Sequence, residues 1–292
     1  MGTLRTTLGI MLQAVARPLD SPSRAYYGPA LLIQAVSEHA LTGGPEVSEI
    51  EEIAPGIFRI ATFNEQFKIG MSQFLIRDEH PLLFHTGFKR MFPETLDAVR
   101  KIVDPATLRY VTWSHFEGDE AGALNEFLAA APHAEPVHGR LGVMYINEFT
   151  SGVGKVVADE EVVELGAHRV RFLLTPQVPH AWDALMVFEE TTRTLFASDL
   201  FFQLGERRAH TDSDIVAPSI SSYARYPEAF PVGPQFLRTL ERLETVAPRT
   251  VAVMHGASYS GDVATALRDL RKGMIEATDW SAIRSREGAL LF

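Results

Sequence analysis

Apolar and polar positions along this chain follow two different periods, and the period changes near residue 49. Before it, "PALLIQAVSEHAL" repeats its apolar positions at helical spacing, and Leu4, Leu8, Met11, Leu12 and Val15 fall on one helical face. "RPLDSPS" and "LTGGPE" break that region into pieces. From residue 49 short strands are predicted: "EEIAPGIFRIATF", then "GMSQFLIRDEHPLLFHTGF", a hairpin turning at Asp78-Glu79-His80-Pro81. "FPETLDAVRKIV" reads as a helix with proline in its first turn, "LRYVTW" as a buried strand, and "EAGALNEFLAAAP" as a helix stopped by Pro132. Strand texture returns in "GKVVADEEVVELGAHRVRFLLTP" and in "ALMVFEETTRTLFASDL", a hairpin around Glu190–Arg193. Two more helices, "PQFLRTLERLETV" and "GDVATALRDLRKGMIEA", flank the short strand "TVAVMHG". Two batches of strands, each followed by helices, predict two sheets sandwiched between helical layers. The predicted organisation is an N-terminal helical extension over 1–48 and one domain over 49–292.

Composition narrows the partners. Hydrophobic residues are 46% and charged residues 22% of 292, proportions that a globular chain with a sizeable core has. A net charge of -10 argues against nucleic acid and anionic membranes, both of which want a basic face. No run reaches the roughly 20 apolar residues of a membrane helix. The start of the chain loosely resembles a signal peptide, but Gln13 interrupts its apolar core, so a docked amphipathic helix suited to homodimer contacts is the preferred reading. A cytoplasmic location is expected. With no cysteine, disulfides, thiolate nucleophiles and iron–sulfur clusters are excluded. No Gly-x-Ser-x-Gly elbow and no dinucleotide fingerprint occurs, and "SGVGKV" lacks the first glycine and the hydroxyl residue of a phosphate loop.

The candidate chemistry lies where strands end. "LRYVTW" runs into "SHFEGDE", which offers His115, Glu117 and Asp119 at alternate positions, with Gly118 allowing a tight turn between them. His180 follows "RVRFLLTPQVP", Asp199 ends "TLFAS", and His255 ends "TVAVM". A single histidine at a strand end is ordinarily a hydrogen-bonded structural residue. Four apolar strands that each terminate in a metal-ligating type are better explained by one shared site. His85, in "LLFHTGF", reads as a residue standing behind the ligands or as purely structural.

The pattern His-x-Glu-x-Asp, then 60 residues to His180, 18 to Asp199 and 55 to His255, resembles the metallo-β-lactamase fold. More narrowly it is similar to its di-iron branch, the flavodiiron and stand-alone oxygen-binding di-iron proteins. "HFEGDEAGALNEFL", "PHAWDALMVF", "LFASDLF" and "VMHG" carry the likeness over roughly residues 49–278. Glu117 stands where the zinc hydrolases of this fold usually have histidine. The resemblance implies an αββα sandwich in which His115, Glu117 and His180 hold one metal, Asp119 and His255 the other, and Asp199 bridges. Asp183, in "HAWD", reads as a carboxylate that orients a metal-bound histidine.

The family has histidine directly after the aspartate, where this chain has Glu120. Either Glu120 opens the following helix, favoured there by the helix dipole, or it replaces imidazole as a ligand; the second reading is preferred. Glu117, Asp119, Glu120 and Asp199 would then balance two divalent cations, a hard site suited to iron or manganese rather than copper or zinc. The expected function is a non-haem di-iron protein that binds dioxygen between two irons about 3.5–4 Å apart, as an oxygen-reducing oxidoreductase or an oxygen sensor. Only about 14 residues follow the matched region, so no flavin is expected in this chain and an external reductase is the expected partner. The alternatives are a dinuclear zinc hydrolase acting on an ester, lactone or phosphodiester, and a sensor or binding module with a degenerate site.

Overall fold

The computed structural model describes residues 49–64, 68–150, 153–206, 208–226 and 229–278. The N-terminal helices expected over 1–48, and with them the boundary at 48/49, lie outside the described residues. Strands that are apolar at consecutive positions must be covered on both faces, and here the cover is a second sheet on one side and helices on the other. The first sheet runs in chain order: β1 (Glu49–Ala54), β2 (Ile57–Asn64), β3 (Ile69–Ile76), β4 (Leu82–Phe84), β5 (Tyr110–Thr112), β6 (Glu135–His138) and β7 (Lys155–Val156). The second contains β8 (Val162–Glu164), β9 (Arg169–Leu174), β10 (Leu185–Glu189), β11 (Thr194–Phe196), β12 (His210–Thr211), β13 (Thr250–Ala252) and β14 (Ser258–Tyr259). Its spatial order is β12-β14-β13-β11-β10-β9-β8. In each sheet four consecutive strands pair antiparallel and the fourth then pairs parallel with a later strand, β4 with β5 and β11 with β13. That repeat lives in the backbone and leaves no repeat in the residues.

Period-two alternation assigns each strand's side chains to layers. Phe74, Ile76, Leu82 and Phe84 meet Phe172, Leu185, Val187 and Phe196 in the core between the sheets. Leu75 and Leu83 face the other way, into a core with α1 (Phe92–Arg100), α2 (Gly118–Ala121), α3 (Leu124–Ala130) and α4 (Arg140–Asn147). Met186, Phe188, Leu195, Val251 and Val253 face α5 (Val216–Tyr223), α6 (Pro234–Val246) and α7 (Val263–Ala277). The result is the expected αββα sandwich.

Local departures have local causes. The helix predicted from residue 120 is two pieces, because the Ala123 N–H leaves the helical ladder and donates to Gly87 O at 3.0 Å and Thr86 Oγ1 at 3.2 Å. The hairpin at Asp78–Pro81 and the turn near Glu190–Arg193 form as expected. Helices α4 and α5 were not anticipated. No helix among the described residues is long and apolar enough to cross a membrane.

Candidate metal centre

All the ligand-type residues sit at one end of the sandwich, just past the C-terminal ends of β5, β9, β11 and β13. Beyond β5, buried Trp113 stacks on His138 with ring centroids 4.7 Å apart, which anchors the loop that starts at Ser114 and His115. Glu117 occupies the extended position before α2, and Asp119 and Glu120 lie in its first turn. The three acidic residues reach the site from a loop that winds into a helix. Gly118 serves by lack of bulk: a Cβ there would lie 3.1 Å from Phe88 Cε1.

His180 and Asp199 are set in unusual backbone. Ala181, Ser198 and Phe201 have φ of 69°, 55° and 66°, left-handed values for residues other than glycine. Such conformations cost on the order of 1–3 kcal/mol each and persist only where the surroundings enforce them.

The side chains meet around two adjacent points. His115 Nε2 lies 2.9 Å from His180 Nε2, 3.6 Å from Glu117 Oε1 and 3.6 Å from Asp199 Oδ2. His180 Nε2 is 3.4 Å from the same Glu117 oxygen and 3.1 Å from the same Asp199 oxygen. Two donors each about 2.0–2.1 Å from one ion are separated by about 3.0–3.4 Å, so these four atoms suit a common ion. The other Asp199 oxygen, Oδ1, faces His255 Nε2 at 3.4 Å, and that nitrogen lies 3.3 Å from Asp119 Oδ2. Asp199 thus presents one oxygen to each group.

The far nitrogen of each histidine is held, which turns Nε2 inward. His180 Nδ1 donates to Ala229 O at 3.0 Å and His255 Nδ1 to Gly70 O at 2.7 Å. His115 Nδ1 instead meets Ser114 Oγ at 2.9 Å, with Ser198 Oγ at 3.3 Å. Ser114 Oγ also lies 2.9 Å from His85 Nε2, and His85 Nδ1 lies 3.1 Å from Met254 Sδ. His85 therefore stands behind His115, one hydroxyl away.

Asp183 does not orient a ligand as the sequence suggested. All three histidine Nδ1 atoms have the partners just named, and the Asp183 carboxylate accepts from the Phe116 backbone, with Oδ2 unpartnered. Proximity to His180 in the chain did not translate into a shared hydrogen bond.

Electrostatics calls for cations here. Burial opposes charge on both His180 and His255, yet Asp199 with Glu117, and Asp119 with Asp199, raise each imidazole to about 9. Asp199 is held well below the carboxylate range, burial being outweighed by His180, His255 and His115. Glu120 is driven far up, by burial first and then by Asp119, Asp199 and Glu117. Both Glu120 oxygens and Asp199 Oδ1 are buried with no hydrogen-bond partner. Orphaned buried carboxylate oxygens beside inward-facing imidazoles fit a pair of metal ions.

The walls that are not ligands are aromatic, and none was singled out from the sequence. Phe230 packs on His180 at 5.3 Å, Phe202 meets His255 edge-on at 5.5 Å, and Tyr223 donates its hydroxyl to Asp199 O at 2.9 Å.

A family model described as "ODP family beta lactamase" matches residues 69–256. Diflavin flavoprotein A 1 of Thermosynechococcus vestitus is 27% identical over 63% of this chain and 33% of its own length. The rubredoxin-oxygen oxidoreductase of Megalodesulfovibrio gigas is 26% identical over 64% of this chain and 48% of its own. This chain thus spans about a third to a half of these curated relatives. Among solved structures, the metal-soaked Flv1 flavodiiron core of Synechocystis superposes with a TM-score of 0.71 at 17% identity, covering 80% of this chain and 62% of that one.

Proposed function

Because the chain belongs to the ODP family of beta-lactamase-fold proteins, we propose that it is a dinuclear iron protein that binds and reduces dioxygen. His115, Glu117, His180 and Asp199 hold one ion; Asp119, His255 and the second oxygen of Asp199 hold the other. When bound, an iron pair supplies electrons two at a time to a small diatomic molecule. The observation that carries the reading is the split of Asp199, whose two oxygens face two separate imidazole-containing groups.

The chain's own residues set the conditions. Backbone carbonyls of Ala229 and Gly70 fix two of the imidazoles, and Ser114 fixes the third. Phe202 and Phe230 present apolar faces beside His255 and His180. Apolar walls suit a small uncharged gas and offer nothing to the anionic groups of a phosphodiester. Glu117 in place of an imidazole makes the first group harder, which favours iron over zinc. Electrons come from a separate reductase. The matched relative named a rubredoxin-oxygen oxidoreductase supports that arrangement.

The test is metal analysis of protein produced with ample iron, followed by oxygen uptake under a chemical reductant. Two irons per chain and reductant-dependent uptake are expected. Zinc at two per chain with esterase or phosphodiesterase turnover would replace the reading with the hydrolase, and absence of metal would reduce the chain to a binding module.

A further inference from the structure

Glu120 is the residue of the centre that the two-ion scheme leaves over. Its side chain is fully buried, and neither carboxylate oxygen has a hydrogen-bond partner. It also belongs to both halves of the site. Its carboxylate groups with His115 and Glu117 on one side, and with Asp119 and His255 on the other, each set lying within 4.8 Å. The distance from Glu120 Oε1 to His115 Nε2 is 3.9 Å. Among the described residues, the only other one whose carboxylate faces both the His180 and the His255 sides is Asp199.

From this placement, and resting on the two-ion reading above, we infer that Glu120 is a second bridging carboxylate that gives one oxygen to each ion. An imidazole at this position has one nitrogen to offer inward and can serve one ion only. A carboxylate has two oxygens, and here both are buried beside the Asp119 carboxylate, with no cationic or N–H donor on either. The short α2 brings the residue there: Glu117 and Asp119, which precede it, reach opposite halves of the site, and the Glu120 carboxylate lies within reach of both groups.

Two consequences follow. With Glu117, Asp119, Glu120 and Asp199 all ligating, four negative charges face two divalent ions, and the inner shell is neutral. A neutral, carboxylate-rich shell favours hard ions and the oxidised state. In addition, a doubly bridged pair binds as a pair, because each ion shares two of its ligands with the other.

The experiment is a titration of metal-stripped protein with Mn2+ alone and, separately, Fe2+ under anaerobic conditions, for wild type, Glu120→Gln and Glu120→His. Wild type is expected to take up two ions per chain. Glu120→Gln should weaken both binding steps by tenfold or more, and Glu120→His should restore one step and leave the other weak. Melting of the metal-stripped variants is read alongside, and Glu120→Gln should melt no lower than wild type, since it removes a buried carboxylate crowded by Asp119, Asp199 and Glu117. If wild type binds two ions and only one step weakens in Glu120→Gln, Glu120 serves a single ion and the bridge is overturned. If both steps are unchanged, Glu120 is no ligand. If wild type itself binds fewer than two ions, the two-ion reading fails first, and the bridge falls with it.

Discussion

Ser114 carries one hydroxyl proton, and its surroundings decide where that proton goes. His115 turns Nε2 toward the other ligands, so its Nδ1 bears hydrogen and donates to Ser114 Oγ. Ser198 also donates to Ser114 Oγ, at 2.8 Å. Ser114 must therefore donate to His85 Nε2, and His85 in turn directs its Nδ1 hydrogen at Met254 Sδ. His85 is neutral throughout, since burial lowers it to about 3. The acceptor behind His115 is thus a hydroxyl that already receives a second hydrogen bond, a weaker pull than the backbone carbonyls behind His180 and His255. Ser114→Ala should weaken metal binding by roughly 10–100-fold, the usual effect of losing such a partner. It should also lower the melting temperature, because His85 Nε2 and the Ser198 hydroxyl lose a buried partner at about 1–3 kcal/mol. A competition titration against a chelator reads the first effect. Unchanged affinity would mean that Ser198, at 3.3 Å, suffices to hold His115. Sequence could not reveal this chain of groups. His85 and Ser114 are 29 positions apart, and Ser114 and Ser198 are 84.

At the scale of elements, the turn between β10 and β11 carries a pH-dependent lock. Glu189, at the end of β10, accepts from Thr191 N, Thr192 N and Thr192 Oγ1, and lies 3.1 Å from Nδ1 of His168, the residue before β9. Burial pushes Glu189 up, but His168 and Thr192 outweigh it and hold it at about 2, against an ordinary 4.5. His168 is raised from 6.5, by Glu189 first and against burial. The raised histidine contributes stability that is fully present below 6.5 and lost as pH climbs through its folded value. The depressed carboxylate contributes stability present above 4.5 and lost as pH falls towards 2. Both act together between about pH 4.5 and 6.5. Glu189→Gln should therefore lower the melting temperature more at pH 6 than at pH 9.5. An equal loss at both values would assign the whole effect to the threonine contacts.

Elements also show what the hydrophobic pattern carried and what it did not. Strands β4 and β10 are apolar at nearly every position, and each such run stops abruptly, so their ends were visible. Helix α4 was missed because Leu141 and Met144, 40% and 52% exposed, put apolar residues on its outer face. Helix α5 contains Pro218 and three serines, two of them bonding back to the preceding turn, which hides its period. Strands of two residues such as β12 and β14 are too short to show any alternation. Asp183 was misplaced for a related reason: neighbours in sequence at a turn point in different directions, and only the fold says which.

For the whole molecule, the centre lies where the two sheets are tied together. His115, Glu117 and Asp119 follow β5 of the first sheet, whereas His180, Asp199 and His255 follow β9, β11 and β13 of the second. Hydrogen bonds already cross at this end: Ser72 N to Met254 O at 3.1 Å, Leu185 N to Ser114 O at 2.8 Å, and His255 Nδ1 to Gly70 O at 2.7 Å. Buried Arg59 of β2 adds a bond from Nη2 to Gly256 O at 3.3 Å. These bonds keep the sandwich closed in metal-stripped protein, so chelation should preserve the secondary structure. Ions that bind the native state add a further tie, worth about 2.7 kcal/mol when free metal is a hundred times the dissociation constant. In a domain of this size that corresponds to a melting shift of roughly 5–10 °C. Asp199→Asn removes the carboxylate whose two oxygens face His180 and His255 while keeping its shape. The variant should melt at one temperature with or without metal, whereas wild type melts at two. If wild type carries two ions and its melting temperature does not respond to their removal, the ions are not clamping the two sheets, and the centre is peripheral to the stability of the fold.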